Sequence, residues 1–196
     1  MAAHLRGLTP ETLVERFPDV GFNMPQARRV ITRLVHDYRD DLDDIPGLRK
    51  TRAEALLAGS RRDRLEVTDR RRSAVDPFVK YLFRAGDGRV FEAVRIPLEQ
   101  PRFSVCVSSQ AGCALGCAFC ETGRMGFERN LEPWEIVDQV LRVAQQVVRS
   151  LDVARLEGDD RTGEVAVDAV VGHHDDASGR CRLEAFVAEP GAERLW

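Results

Sequence analysis

Three cysteines fall within eight residues of this chain, between a short apolar run and a long amphipathic helix. The apolar run is Phe103–Val107, and the helix opens at Pro133 and Glu135. Its apolar stripe recurs at helical spacing over Ile136, Val137, Val140, Leu141, Ala144, Val147 and Val148. A strand, a loop rich in reactive groups and a helix, in this order, form the first unit of an α/β fold. The sequence therefore predicts the α/β class.

The cysteine usage favours a metal site over a set of disulfides. The chain has five cysteines, an odd number, and Cys113, Cys117 and Cys120 are clustered where no secretion signal precedes them. A four-iron cluster normally takes four cysteine ligands, so three would leave one iron open. A structural zinc ion needs a fourth ligand, which Cys106, seven residues upstream, could supply. The spacing alone leaves both metals open.

Residues 1–60 predict a small helical domain. Thr9-Pro10-Glu11 has the cap, the proline and the acidic residue of a helix start. A second helix follows Pro25, with an apolar stripe formed by Ala27, Val30, Ile31, Leu34 and Val35. Thr51 and Glu54 have the spacing of a capping box for a third helix.

An arginine-rich stretch and a hairpin lie between the helical region and the cysteines. Six arginines fall within residues 61–72: Arg61, Arg62, Arg64, Arg70, Arg71 and Arg72. Because acidic residues are interleaved, residues 61–78 read as a solvated linker, and the alternative is a contact with RNA phosphates. Val79–Phe83 and Arg89–Ile96 then flank the glycine-containing loop Ala85–Gly88, which predicts a hairpin.

Two stretches carry a family resemblance. The first is Cys106–Leu131, which contains the Cys-x-x-x-Cys-x-x-Cys spacing. The second lies upstream and consists of Lys80–Arg84, Gly86–Gly88 and Glu92–Pro97. Together they closely resemble the bacterial radical SAM enzymes that methylate C2 of an adenine in 23S ribosomal RNA and, in some members, in tRNA. The N-terminal helices resemble the small RNA-binding accessory domain of that family.

The resemblance implies a division of the chain into four parts. Residues 1–60 would form the helical accessory domain, and residues 61–78 the arginine-rich linker. Residues 79–150 would form the hairpin and the first part of a radical SAM partial (β/α) barrel. Residues 151–196 would be a divergent acidic tail, with eleven acidic and five basic residues.

The resemblance also implies roles for individual residues. Cys113, Cys117 and Cys120 would hold a [4Fe–4S] cluster whose open iron binds S-adenosyl-L-methionine. Phe119, inside this loop, would pack beside the cluster. Cys106 would resolve a covalent RNA–protein adduct by forming a disulfide with a methyl-carrying cysteine, and Glu92 would accept a proton. Without the resemblance, Cys106 reads as a small core residue on an apolar strand and Glu92 as a solvent-facing hairpin residue.

The long amphipathic helix is expected to end near Arg149, and the family pattern stops there. The glycine-rich Gly-Glu-Pro segment that contacts the methionine amine in the family is absent from this sequence, and the flanks of Cys181 do not match the methyl-carrying cysteine. A chain truncated in this way is expected to be weak or inactive by itself. In the tail, Glu164–Val171 could form a strand, and His173–Asp176 reads as an exposed loop because adjacent residues cannot easily converge on one ion.

The expected partners follow from the same resemblance. RNA fits residues 1–150, which carry 24 basic and 21 acidic groups. An electron donor such as flavodoxin would supply the reductant, and we expect a cytoplasmic monomer without a membrane segment. Two alternatives stay open at this point. One is a non-catalytic RNA- or metal-binding remnant, and the other is a relative that methylates C8 of adenine.

Overall fold

The structure is a computed structural model that describes residues 2–35, 39, 41–98, 102–156, 167–175 and 180–187, with side chains through Val147. It divides into two compact units, one formed by Met1–Arg64 and Glu132–Leu141 and the other by Leu65–Leu131 and Arg142–Trp196. None of the helices in the described ranges combines the length and apolarity that crossing a membrane requires.

The first unit is helical, as the sequence predicts. Its helices are α1 (Pro10–Arg16), α2 (Met24–Val35) and α3 (Lys50–Ala58). Helix α1 begins with a capping box between Thr9 and Thr12, whose side chains each accept from the other's backbone N–H. The buried core of this unit comprises Leu5, Leu13, Val20, Phe22, Ala27, Val30, Leu34, Leu42, Ile45, Ala53 and Leu56.

The start of α3 differs from the prediction. The helix begins at Lys50 with Arg49 as its cap, and no side chain caps its first turn. The predicted capping box of Thr51 and Glu54 is therefore wrong, because Thr51 already lies inside the helix and its backbone is not in the extended conformation that a cap needs.

The second unit contains a six-stranded mixed sheet in the order β1-β2-β3-β4-β7-β8. The strands are β1 (Glu66–Arg72), β2 (Val79–Arg84), β3 (Val90–Pro97), β4 (Phe103–Val107), β7 (Val167–Asp175) and β8 (Arg180–Val187). A separate two-stranded sheet pairs β5 (Gln110–Gly112) with β6 (Phe127–Asn130). The predicted hairpin strands and the third apolar run are confirmed as β2, β3 and β4.

A parallel pair of strands gives the second unit its α/β character. Neighbours from β1 to β4 pair antiparallel, whereas β4 pairs with β7 in parallel. Helix α5 (Pro133–Leu156) lies between these two strands in the chain. Because parallel strands need a crossover connection, the chain from β4 through α5 to β7 is a βαβ unit. The predicted α/β fold is confirmed.

Three predictions about the flanking segments are wrong. Residues 66–72, read as part of a linker, form β1 and pair with β2 from Glu66 opposite Arg84 to Arg72 opposite Val79. The helix expected to end near Arg149 continues to Leu156. His173–Asp175, read as an exposed loop, lie within β7. In each case pairing with a distant strand or continuation of a regular element decides the structure, and neither leaves a local sequence signal.

The tail is thus not uniformly irregular, since β7 and β8 occupy one edge of the sheet. The predicted strand Glu164–Val171 overlaps β7 from Val167 onward. Its first residues and Asp176 lie outside the described part of the chain.

Candidate functional site

The three clustered cysteines lie on a loop whose base is closed by the small sheet of β5 and β6. Gly112 ends β5 with a φ of +74°, and its Cα lies so close to the carbonyl of Gly126 that a side chain at position 112 could not fit. The Cys113 N–H donates to the same carbonyl at 3.0 Å. The two ends of the cysteine loop, at Gly112 and Gly126, are therefore held together by backbone contacts.

Between these two ends the cysteine loop makes further tight turns. The Cys120 N–H donates to the Cys117 carbonyl at 3.1 Å, and helix α4 (Glu121–Arg124) begins directly after Cys120. A Cβ on Gly123 would lie 2.8 Å from the Cys117 nitrogen and 2.9 Å from its oxygen. The backbone around Cys117 and Cys120 is thus folded back on itself, and only glycine fits at position 123.

The thiols of Cys113, Cys117 and Cys120 are free and partly exposed. Apart from Glu121, they are the metal-ligating residues that the sequence places between Cys113 and Gly126. In the part of the chain that the structure describes, no three His, Cys, Asp or Glu side chains converge closely enough to hold a metal ion as they stand. The loop thus carries the three thiols without holding them in the arrangement of a finished metal site.

An ion-pair network ties the cysteine loop to the β2–β3 hairpin. The Arg129 Nε of β6 lies 2.6 Å from the Asp87 carboxylate, and Arg89 contacts the same carboxylate at 3.0 Å. Arg89 also reaches Glu128 of β6 at 2.8 Å. The hydrogen bond from Arg129, together with those from Arg89, lowers the pKa of Asp87 to about 2. Sequence reasoning missed this network, since Asp87 read only as a turn residue.

Glu92 and Cys106 lie on the same face of the sheet. Cys106 of β4 is directly opposite Val94 of β3, and Glu92 is two residues before Val94 on the same strand. Side chains at i and i+2 of a strand point to one face, and so do directly paired residues of neighbouring strands. The Lys80 ammonium lies 3.0 Å from the Glu92 carboxylate on this face. Ser108, just beyond β4, donates to the Glu92 carbonyl at 2.7 Å.

The exposure of Cys106 decides between the two interpretations of this residue. Its neighbours on β4, Val105 and Val107, are buried, whereas Cys106 is exposed. The reading of Cys106 as a small core residue is therefore wrong. Glu92 is half-exposed, as the hairpin interpretation expected, but it is held by Lys80 and so does not simply face solvent.

Four large apolar side chains of the cysteine loop region are exposed: Leu115, Phe119, Met125 and Phe127. Phe119, between the second and third cysteines, is 93% exposed. The sequence interpretation expected Phe119 to pack beside a cluster, and in the structure no protein group covers it. Exposed apolar groups beside free thiols are typical of a surface that a cofactor or substrate covers.

Together these features agree with the class of protein that the sequence resemblance implies. A helical unit, an antiparallel hairpin and a βαβ unit whose first strand leads toward a Cys-x-x-x-Cys-x-x-Cys loop are what a resemblance to the radical SAM enzymes leads us to expect.

Curated relatives of this chain are named as RNA methyltransferases. The chain is 51% identical over 122 residues to a probable RNA methyltransferase of Sorangium cellulosum, a match that covers 61% of this chain and 31% of that protein. It is 38% identical over 149 residues to a probable RNA methyltransferase of Myxococcus xanthus, covering 74% of this chain and 41% of that protein. It is 41% identical over 138 residues to the dual-specificity RNA methyltransferase RlmN of Syntrophotalea carbinolica, covering 69% and 36%.

A solved structure supports the fold. The crystal structure of a radical SAM methyltransferase from Sphaerobacter thermophilus superimposes with a TM-score of 0.63 at 33% identity, covering 76% of this chain and 43% of that one. No protein-family profile matches the chain. Over the matched residues the chain is similar to RlmN-type RNA methyltransferases and to a radical SAM methyltransferase of known structure. It spans between about three tenths and two fifths of the length of these three curated relatives.

Proposed function

We propose that this chain derives from, and carries the cluster-binding part of, an enzyme that methylates C2 of adenine in 23S ribosomal RNA and in some tRNA. The observation that carries the proposal is that the three-cysteine loop follows β4 and β5, and that β4 presents an exposed Cys106 on the same sheet face as Glu92. The names of the relatives and the match to a radical SAM methyltransferase support it.

The donor set of the loop fits an iron–sulfur cluster with one open position. Cys113, Cys117 and Cys120 supply three thiolates, one fewer than a structural zinc ion takes. Cys106, the candidate fourth ligand for zinc, lies outside this loop, on strand β4, where pairing with β3 fixes its position. When bound, a [4Fe–4S] cluster with S-adenosyl-L-methionine supplies the one-electron chemistry of radical methylation.

The other residues then have distinct tasks. Cys106 is exposed on the sheet face, where its thiolate can attack the thioether sulfur of an RNA–protein adduct. The disulfide forms as the bond between that sulfur and the RNA-bound carbon breaks, and the released carbon takes up a proton. The Glu92 carboxylate accepts the proton that leaves the substrate carbon, and Lys80, 3.0 Å away, orients it. Gly112 and Gly123 allow the close backbone approaches that keep Cys113, Cys117 and Cys120 on one compact loop.

The chain taken alone is expected to methylate RNA weakly or not at all. The sequence contains neither the Gly-Glu-Pro segment nor a matching methyl-carrying cysteine, and the chain spans less than half of its relatives. Both features remove groups that bind the cosubstrate or carry the methyl group in the family. RNA, an electron donor such as flavodoxin, and a monomeric cytoplasmic state belong to the same proposal.

The test is anaerobic reconstitution with iron and sulfide, followed by metal analysis, absorption and EPR spectroscopy. We expect the chain to take up a [4Fe–4S] cluster, the C117S variant to lose it, and the C106S variant to keep it. The two variants make the same chemical change at two thiols of different assigned role, so each controls for the other. Colourless protein with stoichiometric zinc would contradict the proposal and favour a non-catalytic metal-binding remnant.

RNA methylation is measured on the same samples by mass spectrometry of nucleosides. A trace of 2-methyladenine that disappears in C106S supports the assigned chemistry. Formation of 8-methyladenine would instead favour the alternative that the chain is a relative of the enzymes that methylate C8 of adenine. Robust methylation by the 196-residue chain would contradict the expected impairment.

A further inference from the structure

The two faces of the β1–β3 sheet differ in how their basic side chains are paired. On the face that carries Glu92, each basic side chain of β1 and β2 has a carboxylate partner. The pairs are Arg71–Asp69 at 2.7 Å, Lys80–Glu92 at 3.0 Å and Arg84–Glu66 at 3.1 Å. The opposite face carries three arginines, Arg70, Arg72 and Arg95, and none of them forms an ion pair within the described residues.

Strand register brings these three arginines together. Arg72, Val79 and Arg95 are opposite one another across β1, β2 and β3, and Arg70 is opposite Tyr81 in the neighbouring row. Adjacent strands lie about 4.8 Å apart, so the long side chains from the two outer strands reach over Val79 toward each other. The Arg70 guanidinium lies 5.8 Å from the centre of the Tyr81 ring.

Two buried polar atoms in this cluster have no hydrogen-bond partner. They are the Tyr81 hydroxyl and the Arg95 Nε. Tyr81 is fully buried, so water does not satisfy its hydroxyl at the surface. Both atoms are donors, and an anion oxygen could accept from each of them. Burial lowers the pKa of Arg95, Tyr81 raises it, and the charges of Arg70 and Arg72 lower it, so Arg95 lies within electrostatic range of both other arginines.

Crowded like charges and unpaired buried donors destabilise a fold unless a ligand satisfies them. The geometry points to a phosphate-binding site formed by Arg70, Arg72, Arg95 and the Tyr81 hydroxyl, which takes a phosphodiester group of the RNA substrate. Guanidinium forks match phosphate oxygens, and three positive charges suit a group of the phosphate class. This inference rests on the proposed function for the identity of the polyanion.

Access favours a long polyanion. β1 is the edge strand of the sheet, and Arg70 and Arg72 on it are exposed. An RNA backbone can therefore approach from the side, with one phosphate seated between the arginines and its neighbours left in solvent. The site lies on the sheet face opposite Glu92 and Cys106, so it would anchor RNA and take no part in the chemistry.

Salt-dependent binding provides the test. Fluorescence anisotropy with a labelled RNA stem-loop and the full chain gives the dissociation constant at several salt concentrations. We expect R70Q, R72Q and R95Q each to reduce the slope of log K against log salt by about 0.7–0.9, the value of one lost phosphate contact. R71Q is the matched control, because Arg71 lies between Arg70 and Arg72 in sequence but is paired with Asp69 on the other face. It removes the same charge and should leave the slope unchanged.

Thermal unfolding supplies a second, independent readout. Sulfate should raise the Tm of the wild-type chain more than that of R95Q or Y81F, and R95Q in low salt should be at least as stable as wild type because a repulsive charge is gone. Equal effects of R71Q and R72Q on RNA binding would overturn the inference, since general charge would then explain them. The inference would also be overturned if sulfate stabilised wild type more than R95Q but R95Q left the salt slope of RNA binding unchanged. The site would then bind small anions and not RNA.

Cluster content in the same samples separates this inference from the proposed function. If R95Q keeps its iron and binds RNA as wild type does, the phosphate-site inference fails and the methyltransferase proposal stands. If the wild-type chain takes up no cluster while RNA binding depends on Arg72 and Arg95, the methyltransferase proposal fails and the phosphate site stands.

Discussion

His4 shows how a single buried side chain couples stability to pH. It is 6% exposed, stacks on Trp134 with ring centres 4.2 Å apart, and accepts from the Arg6 N–H through Nδ1. Its Nε2 lies 2.9 Å from the Asp63 carbonyl and must therefore carry the proton. Both nitrogens are satisfied in the neutral ring, and burial lowers the pKa of His4.

The free energy of unfolding should fall as the pH falls below about 6.5, the ordinary histidine value. The unfolded state binds a proton at a higher pH than the folded state does, so acidification favours unfolding through this window. Denaturant unfolding of wild type and H4Q from pH 7.5 to 5 measures the effect. The slope of stability against pH should be steeper in wild type, and identical slopes would contradict this role for His4.

At the scale of elements, the cysteine loop depends on glycine more than on helix propensity. Replacing Gly123 with alanine within α4 would gain up to about 1 kcal/mol from propensity alone. The added Cβ, however, would meet backbone atoms of Cys117 at 2.8 and 2.9 Å, and backbone cannot move aside as a flexible side chain can. Overpacking of this kind costs about 1–3 kcal/mol, so the contact outweighs the propensity.

We therefore expect G123A to take up less iron than wild type in anaerobic reconstitution while keeping its overall fold. The G86A variant is the matched control, since a Cβ on Gly86 in the hairpin loop would meet nothing within 4 Å. Iron and sulfide per chain, with circular dichroism of the apoprotein, measure the effect. Equal iron content in the two variants would show that the loop tolerates a side chain at position 123.

At the scale of the whole molecule, the region beyond residue 150 is part of the sheet. β7 pairs in parallel with β4, from Phe103 opposite Val167 to Val107 opposite Val171, and β8 pairs with β7. The strand that leads to the cysteines thus has neighbours on both sides. If β7 and β8 did not join the sheet, β4 would be an edge strand.

A chain that ends at residue 150 should unfold at a Tm lower by at least about 2–4 °C than the full chain. It loses the last turns of α5 and the partner of β4, and a loss of more than 1 kcal/mol gives a shift of this size in a chain of this length. A chain that ends at residue 187 keeps both strands and serves as the control. Equal Tm values for the two shortened chains would show that β7 and β8 add nothing to stability.

The sequence by itself determined the features that depend on near neighbours. The cap at Thr9, the hairpin around Gly88, strand Phe103–Val107 and the cysteine spacing all follow from patterns within a few residues. The family resemblance followed from the same local stretches. These predictions are reliable because spacing, turn chemistry and apolar periodicity act over one or two turns of chain.

Only the tertiary structure decided what depends on partners far along the chain. The arginine-rich stretch became strand β1 because β2 pairs with it, although its sequence lacks apolar alternation. The register of β3 on β4 placed Glu92 and Cys106 on one face and the three unpaired arginines on the other. Asp87 holds Arg129 across 42 residues. A shift of one residue in register would reverse every face, and register is set by pairing between strands that no local pattern contains.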